Sequence, residues 1–247
     1  MLKQDKIQAK GKSMNLWDEK AKHYARYSDK LNSIQELSFK ELRKANISFK
    51  DKIIIDVGCG TGVWSLHLAK QAKHLYALDS SKAMLELLEH DAKTQGISNI
   101  ISIFSSFKDF SKNNFKSFDI AFLSMSPALE NLDDYRAFLN LAKLRIYISW
   151  ACERKSSMLK EVFSNFVPKK KESKKDIEDF LKSEGVDFKK FVFDEKRIEK
   201  RSKQEAVQNA MWHLKMKGVD VDEEKLVPFF ADENTDEISA KIKLLIF

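Results

Sequence analysis

A chain of 247 residues, 43% hydrophobic and 33% charged, can bury a full core and has the make-up of a globular protein rather than a fibrous or disordered one. Its net charge of +7 invites a nucleic-acid reading, but 44 basic residues are mixed along the chain with 37 acidic ones and lysine far outnumbers arginine. That pattern favours a solvated lysine-rich surface over a nucleic-acid track. No apolar run approaches a membrane span, and the N-terminus lacks the apolar core of a secretion signal. Cys59 and Cys152 make neither metal spacing nor a disulfide framework, which fits a reducing cytoplasm.

Residues 1 to about 13 are polar and aperiodic and read as frayed. A helix is predicted from Asn15, with Asp18 in its first turn and Leu16, Trp17, Ala21, Tyr24 and Ala25 near helical spacing. A second is predicted at Ser33-Ile34-Gln35-Glu36, which has the form of a capping box.

Ile53-Ile54-Ile55-Asp56-Val57 then reads as a strand buried on both faces. Gly58-Cys59-Gly60-Thr61-Gly62 follows, holding three of the chain's seven glycines, and Val63 to Ala69 has helical spacing. Such a turn lets the backbone approach a ligand, and unpaired amide groups at the helix start are expected to face it. The spacing decides among ligands. Counting from Gly58, the third glycine of a dinucleotide fingerprint falls on Val63. No Gly-Lys-Ser/Thr ending follows for a polyphosphate, and Asp56 would repel one. A ligand with a positive group suits Asp56 better.

The pattern Asp56-x-Gly58-x-Gly60-x-Gly62 resembles the first motif of class I S-adenosylmethionine-dependent methyltransferases. His74 to Asp79 reads as a second parallel strand tipped by a carboxylate, the place where Rossmann-type folds bind a ribose diol. The resemblance implies an α/β Rossmann-like fold: a mostly parallel seven-stranded sheet with an antiparallel final pair and helices on both faces. It implies S-adenosyl-L-methionine as cofactor and S-adenosyl-L-homocysteine as product. The cofactor-binding set it points to is Asp56, Gly58, Cys59, Gly60, Thr61, Gly62, Asp79, Ser80, Met84, Ser106, Phe107, Ser124 and Tyr24. Two of these have competing readings: Met84 also fits as a core methionine of the helix opened by Ser80-Ser81, and Ser105-Ser106-Phe107 lacks the family's usual acid after the third strand, Asn99 to Phe104. The two leading helices resemble a lid over the cofactor and equally fit a plain amphipathic packing element.

Phe118 to Leu123 is a fourth strand, and the acceptor contacts of the family lie just beyond its end. Amine-directed nucleic-acid and glutamine methyltransferases usually carry Asn/Asp-Pro-Pro-aromatic there; this chain has Ser124-Met125-Ser126-Pro127-Ala128. A helix from Asp133, a strand at Leu144 to Trp150, a lysine-rich connection around Pro168 and a helix from Ser173 stopping at Gly185 follow. Phe188 to Ile198 and Lys241 to Phe247 are strand candidates. Between them a capping box at Ser202 to Glu205 opens a helical insertion ending near 238, with the form of a substrate-pocket roof or a homodimer contact.

These elements are read as one domain over 1–247, with a helical lid at 14–50 and the insertion at 202–238. No catalytic motif stands out, and the chemistry needs none, because positioning does most of the work and a base is required only for an acceptor that must lose a proton. His23, Tyr24 and His213 are base candidates, and the rings of Trp17, Tyr24 and Tyr27 are candidates to face a cation. The reading is a methyltransferase acting on a small molecule in the cytoplasm. Its alternatives are an RNA or protein methyltransferase, for which only the positive charge speaks, and a non-catalytic relative that binds the cofactor.

Overall fold

The computed structural model describes residues 16–113, 118–168 and 176–247. In chain order the helices are α1 (Leu16–Ala21), α2 (Ser33–Lys44), α3 (Ser65–Ala69), α4 (Lys82–Thr94), α5 (Phe107–Asn113), α6 (Leu132–Leu141), α7 (Ser157–Phe166), α8 (Ile177–Ser183), α9 (Lys203–Met216) and α10 (Glu223–Leu226). The strands are β1 (Ile53–Val57), β2 (His74–Asp79), β3 (Ile100–Phe104), β4 (Phe118–Ser124), β5 (Ala142–Trp150), β6 (Lys155–Ser156), β7 (Lys189–Ser202) and β8 (Glu233–Ile246). The α/β class is as expected. Eight strands are found among the described residues rather than seven, the addition being the two-residue β6. The expected starts at Asn15 and Ser173 lie outside the described residues.

The chain divides into two compact units, residues 48–144 with the segment ending at Lys30, and residues 145–247 with 31–47. In the first, four strands run parallel in the order β3-β2-β1-β4. Parallel strands need cover on both faces, and β1 is apolar and buried almost throughout. The register sets Asp56 beside Ala77 and Phe122, deep in the sheet. It brings the C-terminal ends of β1, β2 and β4 to one edge, where open α/β sheets bind ligands.

In the second unit β7 and β8 pair antiparallel over their full fourteen residues, and β8 also pairs with β5 and β6. Both strands outrun their expected bounds. Their outer halves are charged, so apolar alternation stops marking them, yet cross-strand polar pairs and the ladder continue. The expected helical insertion therefore narrows to α9, α10 and a 3-10 turn at Val227–Phe229. These pack with α7 around Leu159, Val162, Val207, Ala210, Leu214 and Phe230.

The helix caps follow local chemistry. At α9 the expected box is present: Ser202 Oγ accepts from Glu205 N–H, and the Glu205 carboxylate accepts from Ser202 N–H at 2.8 Å. At α2 the box is shifted by one residue: Asn32, not Ser33, is the cap, with Gln35 rather than Glu36 as its partner. Asparagine caps about as well as serine, and in the capping box glutamine serves in place of glutamate.

Candidate functional site

All thirteen residues of the expected cofactor set belong to the first unit. The turn after β1 folds back on β2. Gly58 and Cys59 N–H both donate to Leu78 O, at 2.7 and 3.1 Å, and Gly62 N–H donates to Cys59 O. Gly60 N–H donates to Asp79 Oδ2 at 2.8 Å. α3 starts at Ser65, later than the expected Val63, and the amides of Gly58, Cys59, Gly60 and Gly62 are bonded within the turn or to β2.

The three glycines do different work. A Cβ on Gly58 would lie 1.8 Å from Ser126 Oγ, so that glycine admits the turn after β4. A Cβ on Gly62 would meet Leu66 Cδ1 at 2.6 Å and Leu88 Cγ at 2.8 Å, so it admits the core. Only Gly60 is open: its Cβ would have a single near neighbour, Tyr24 Cε1 at 3.9 Å, and its φ is +56°. Gly60 is thus the point where the backbone itself can approach a ligand. Gly62→Ala is expected to cost about 1–3 kcal/mol through overpacking, lowering the melting temperature by about 2–4 °C per kcal/mol. Gly60→Ala has open space for its Cβ but must hold a left-handed φ of +56°, so it should cost about 1–2 kcal/mol and in addition lose cofactor affinity; thermal melts and calorimetry on the two variants will check the contrast.

Asp56 is buried at 2% exposure and accepts from Ser65 Oγ at 2.5 Å. Burial, opposed by that hydrogen bond and reinforced by the charge of Asp79, pushes its carboxyl up to about 7. Asp79 sits at the tip of β2 and accepts from Gly60 N–H on one oxygen and from Ser81 N–H at 2.8 Å on the other. Burial raises its pKa against those amides, with Asp18 adding to the rise. A backbone hydrogen bond from Ser80 adds to these, and a carboxylate with about four lone-pair sites still has room for a hydroxyl. Burial penalises the ionised forms of Asp56 and Asp79, the charge of Asp79 adding to the penalty on Asp56 and that of Asp18 to the penalty on Asp79. A cation arriving there would relieve both.

Residues 16–30 form a strap across this turn. Asp18 accepts from Ser81 Oγ at 2.5 Å and from Ala83 N–H at 3.2 Å, sealing the start of α4, while Ser81 itself caps Met84 N–H. Thr61 Oγ1 donates to Ala25 O at 2.5 Å. Arg26 binds Asp91 through both carboxylate oxygens, one at 2.8 Å. Lys70 pairs with Asp29 at 2.5 Å. Tyr24 lies above Gly60 and edge-on to Trp17, 6.3 Å between ring centres; burial, then the charge of Asp79, raises its hydroxyl pKa. It is therefore a neutral ring and hydroxyl rather than a ready base.

Other expected residues are placed differently. Met84 is fully buried in the core. Ser106 caps α5, accepting from Asp109 N–H at 3.1 Å and donating to Asp109 Oδ2 at 2.7 Å, so its hydroxyl is engaged locally. The Phe107 side chain is buried. Thr61 is buried and committed to the strap, and the Cys59 thiol is pushed well up by burial and then by the charges of Asp56 and Asp79. Ser80 lies exposed between β2 and α4. Tyr27 already carries Lys70 at 5.3 Å and packs on His67 at 4.8 Å, so it is not a free cation-facing ring. His23 is exposed on the strap, and His213 belongs to the second unit, where its ring packs on Trp212 and Phe163.

At the end of β4, Ser124 Oγ is buried with no hydrogen-bond partner among the described residues, while Met125 takes a left-handed φ of 52°. Non-glycine residues adopt that conformation at a cost, and it often marks a functional turn. The β1–β4 register carries Ser124 to the level of Gly58. Nothing in the residue types announced the strained Met125; the absence of glycine there hid it.

Residues 54–144 match the family model described as "Methyltransferase domain". Protein arginine N-methyltransferase 1 of Oryza sativa subsp. indica is 50% identical over 56 residues, which cover 22% of this chain and 14% of that protein. An uncharacterized protein of Haemophilus influenzae is 27% identical over 139 residues, 56% of this chain and half of its own length. The chain thus spans half or less of the length of these relatives. Among solved structures, coclaurine N-methyltransferase bound to N-methylheliamine and S-adenosylhomocysteine superposes with a TM-score of 0.53 at 13% identity, covering 97% of this chain and 83% of its own. That likeness is one of fold.

Proposed function

We infer that this chain, whose residues 54–144 match a methyltransferase domain, is a class I S-adenosylmethionine-dependent methyltransferase that transfers a methyl group from that cofactor to a small-molecule acceptor. The observation that supports the reading is Asp79: a carboxylate at the tip of β2 that is ordered by the backbone of Gly60, Ser80 and Ser81 and keeps room to accept from a hydroxyl. The residues present fit the cofactor. Gly60 offers an open backbone face, Asp79 suits a ribose diol, Tyr24 covers the turn, and the acidic cluster favours a ligand bearing a sulfonium and an ammonium. When bound, the cofactor supplies an electrophilic methyl group.

The chain's own share is to hold and to exclude. Holding two reactants in line can contribute about 7–11 kcal/mol without any acid or base. Strap residues Asp18, Thr61 with Ala25, and Arg26 with Asp91 fix the wall of the site and limit water. Ser124, with its unpartnered hydroxyl beside the strained Met125, is the side chain we assign to the acceptor end.

A small acceptor is supported by the wording Ser124-Met125-Ser126-Pro127-Ala128, which lacks the Asn-Pro-Pro-aromatic clamp for planar amines. A protein acceptor is the second reading, favoured by the 50% identity to the rice arginine methyltransferase, though 56 residues are too few to carry acceptor recognition. The test is methyl-labelled S-adenosylmethionine with cell extract separated into metabolites, protein and RNA. Label in the metabolite fraction is expected. Label in protein or RNA alone would overturn the acceptor class, and failure of S-adenosylhomocysteine to raise the melting temperature would overturn the reading altogether.

A further inference from the structure

The second unit holds a cavity of about 1220 Å³ that the methyl-transfer reading does not use. It is walled by β6 and the start of α7, by β7 and by β8. Five cations line it: Arg154, Lys155, Lys160, Lys196 and Arg197. Two carboxylates, Glu153 and Glu237, line it as well, leaving a surplus of three positive charges (5 − 2).

Most of these cations are not spent. Arg197 is paired with Glu195 at 3.3 Å and Glu199 at 2.8 Å, and Glu153 is paired with Lys217 at 3.4 Å. Lys155, Lys160 and Lys196 enter no ion pair among the described residues. Arg154 Nε is buried and has no hydrogen-bond partner among the described residues. Burial holds that guanidinium below its ordinary range; Arg197 and Arg201 push the same way, against the pull of Asp236 and Glu195. A half-buried guanidinium with an idle donor is costly unless an anion completes it. The first turn of α7 does not supply the attraction, since Ser156 and Asp236 already accept from Leu159 and Met158 N–H.

The cavity also has an apolar side. Phe163, Ile198 and Ile238 line it, and Ile198 is 69% exposed. Lys217 stands 4.8 Å from the centre of the Phe163 ring, so an aromatic face and a cation are presented together. A planar guanidinium fork backed by lysines matches a phosphate better than a lone carboxylate, because a phosphomonoester carries about −1.5 to −2 charge and three acceptor oxygens. The volume exceeds the room inorganic phosphate needs and suits a body the size of a nucleoside.

We propose that this cavity binds a phosphomonoester carried on a nucleoside-sized body, with Arg154 forking the phosphate and Lys155, Lys160 and Lys196 supplying the field around it. The same chemistry is offered by a free nucleotide and by the 5′ end of an RNA strand. The test is calorimetry on the full chain saturated with S-adenosylhomocysteine, so that the adenosyl site is filled. The probes are uridine 5′-monophosphate, uridine, and a 5′-phosphorylated hexauridylate. The monophosphate should bind in the submillimolar range and weaken as salt rises, while uridine should not bind. Arg154→Gln should weaken the monophosphate roughly tenfold, as expected for a charge-assisted hydrogen bond.

A much tighter hexauridylate identifies the strand as the source; equal affinities identify the free nucleotide. No binding of either phosphate at millimolar concentration overturns the proposal, as does uridine binding as well as its monophosphate. Should Arg154→Gln fail to fold, the double variant Lys160→Gln/Lys196→Gln, made at two exposed lysines, decides: severalfold weaker binding supports the site and wild-type affinity removes it. Affinity for S-adenosylhomocysteine should be the same in every variant, which separates failure here from failure of the methyl-transfer reading.

Discussion

Asp79→Ala is expected to weaken S-adenosylmethionine binding by roughly ten- to a hundredfold, because a hydrogen bond to a charged group contributes about 1.5–3 kcal/mol. The loss has two parts. Alanine offers nothing to a ribose diol, and it also releases Gly60 N–H and Ser81 N–H, which the carboxylate holds at 2.8 Å each. Freed of that anchor, the turn must be ordered again by the ligand, and the ordering cost is taken from affinity. Asp79→Asn separates the parts: it keeps one acceptor oxygen for the loop or the diol, not both, and should fall between wild type and alanine. Calorimetry on both variants, with thermal melts to show that they fold, is the measurement. Wild-type affinity in a folded Asp79→Ala would remove Asp79 from the site.

The sheet and the turn were legible because their signals are local. Ile53–Val57 and His74–Asp79 are short apolar runs ended by carboxylates or glycines, and their bounds stand as read. The strap was not legible in the same way. A helix at 16–21 could be read, but its tie to the site depends on Asp18 reaching Ser81, Thr61 reaching Ala25 and Arg26 reaching Asp91, across 63, 36 and 65 residues. No periodicity encodes such pairs. Ser106 shows a local competitor: the resemblance sends its hydroxyl toward a ligand, and in the fold that hydroxyl caps α5 through Asp109, three residues on.

Lys243 shows why charge patterning hides structure in the second unit. In β8 it stands in an apolar run and is 1% exposed, which lysine tolerates only with partners. It has two, Asp176 and Glu178, the latter at 3.0 Å. Burial alone would raise the Glu178 pKa, but hydrogen bonds from Lys190 and Lys243 overcome that and bring it below the ordinary range. Such a cluster is invisible until α8 is placed against the strands.

The buried Asp56 gives the ligand-free protein an unusual dependence on pH. Its carboxyl moves from 3.8 to about 7 on folding, chiefly because burial disfavours the charge. Between those values the native state holds a proton that the unfolded chain has lost, so the slope of stability with pH is negative. The contribution is complete below the unfolded value, is lost as pH rises through about 7, and is on the order of 4 kcal/mol at most, at 1.36 kcal/mol per unit. Asp79, also raised by burial, adds in the same direction. Exposed carboxylates such as Asp29 and Asp109, lowered by their hydrogen-bonded partners, act oppositely, so the readout is a difference. Urea unfolding of wild type and Asp56→Asn across this window should show wild type losing stability relative to the variant as pH rises. Parallel curves would mean that Asp56 is ionised throughout. The same group links stability to the ligand: a bound cation favours the carboxylate, so S-adenosylmethionine should drive off a proton near neutral pH and bind more tightly above it. Calorimetry in buffers of different ionisation enthalpy counts that proton. S-adenosylhomocysteine, which lacks the sulfonium charge, should release less of it, and Asp56→Asn should release less than wild type, any remainder coming from Asp79.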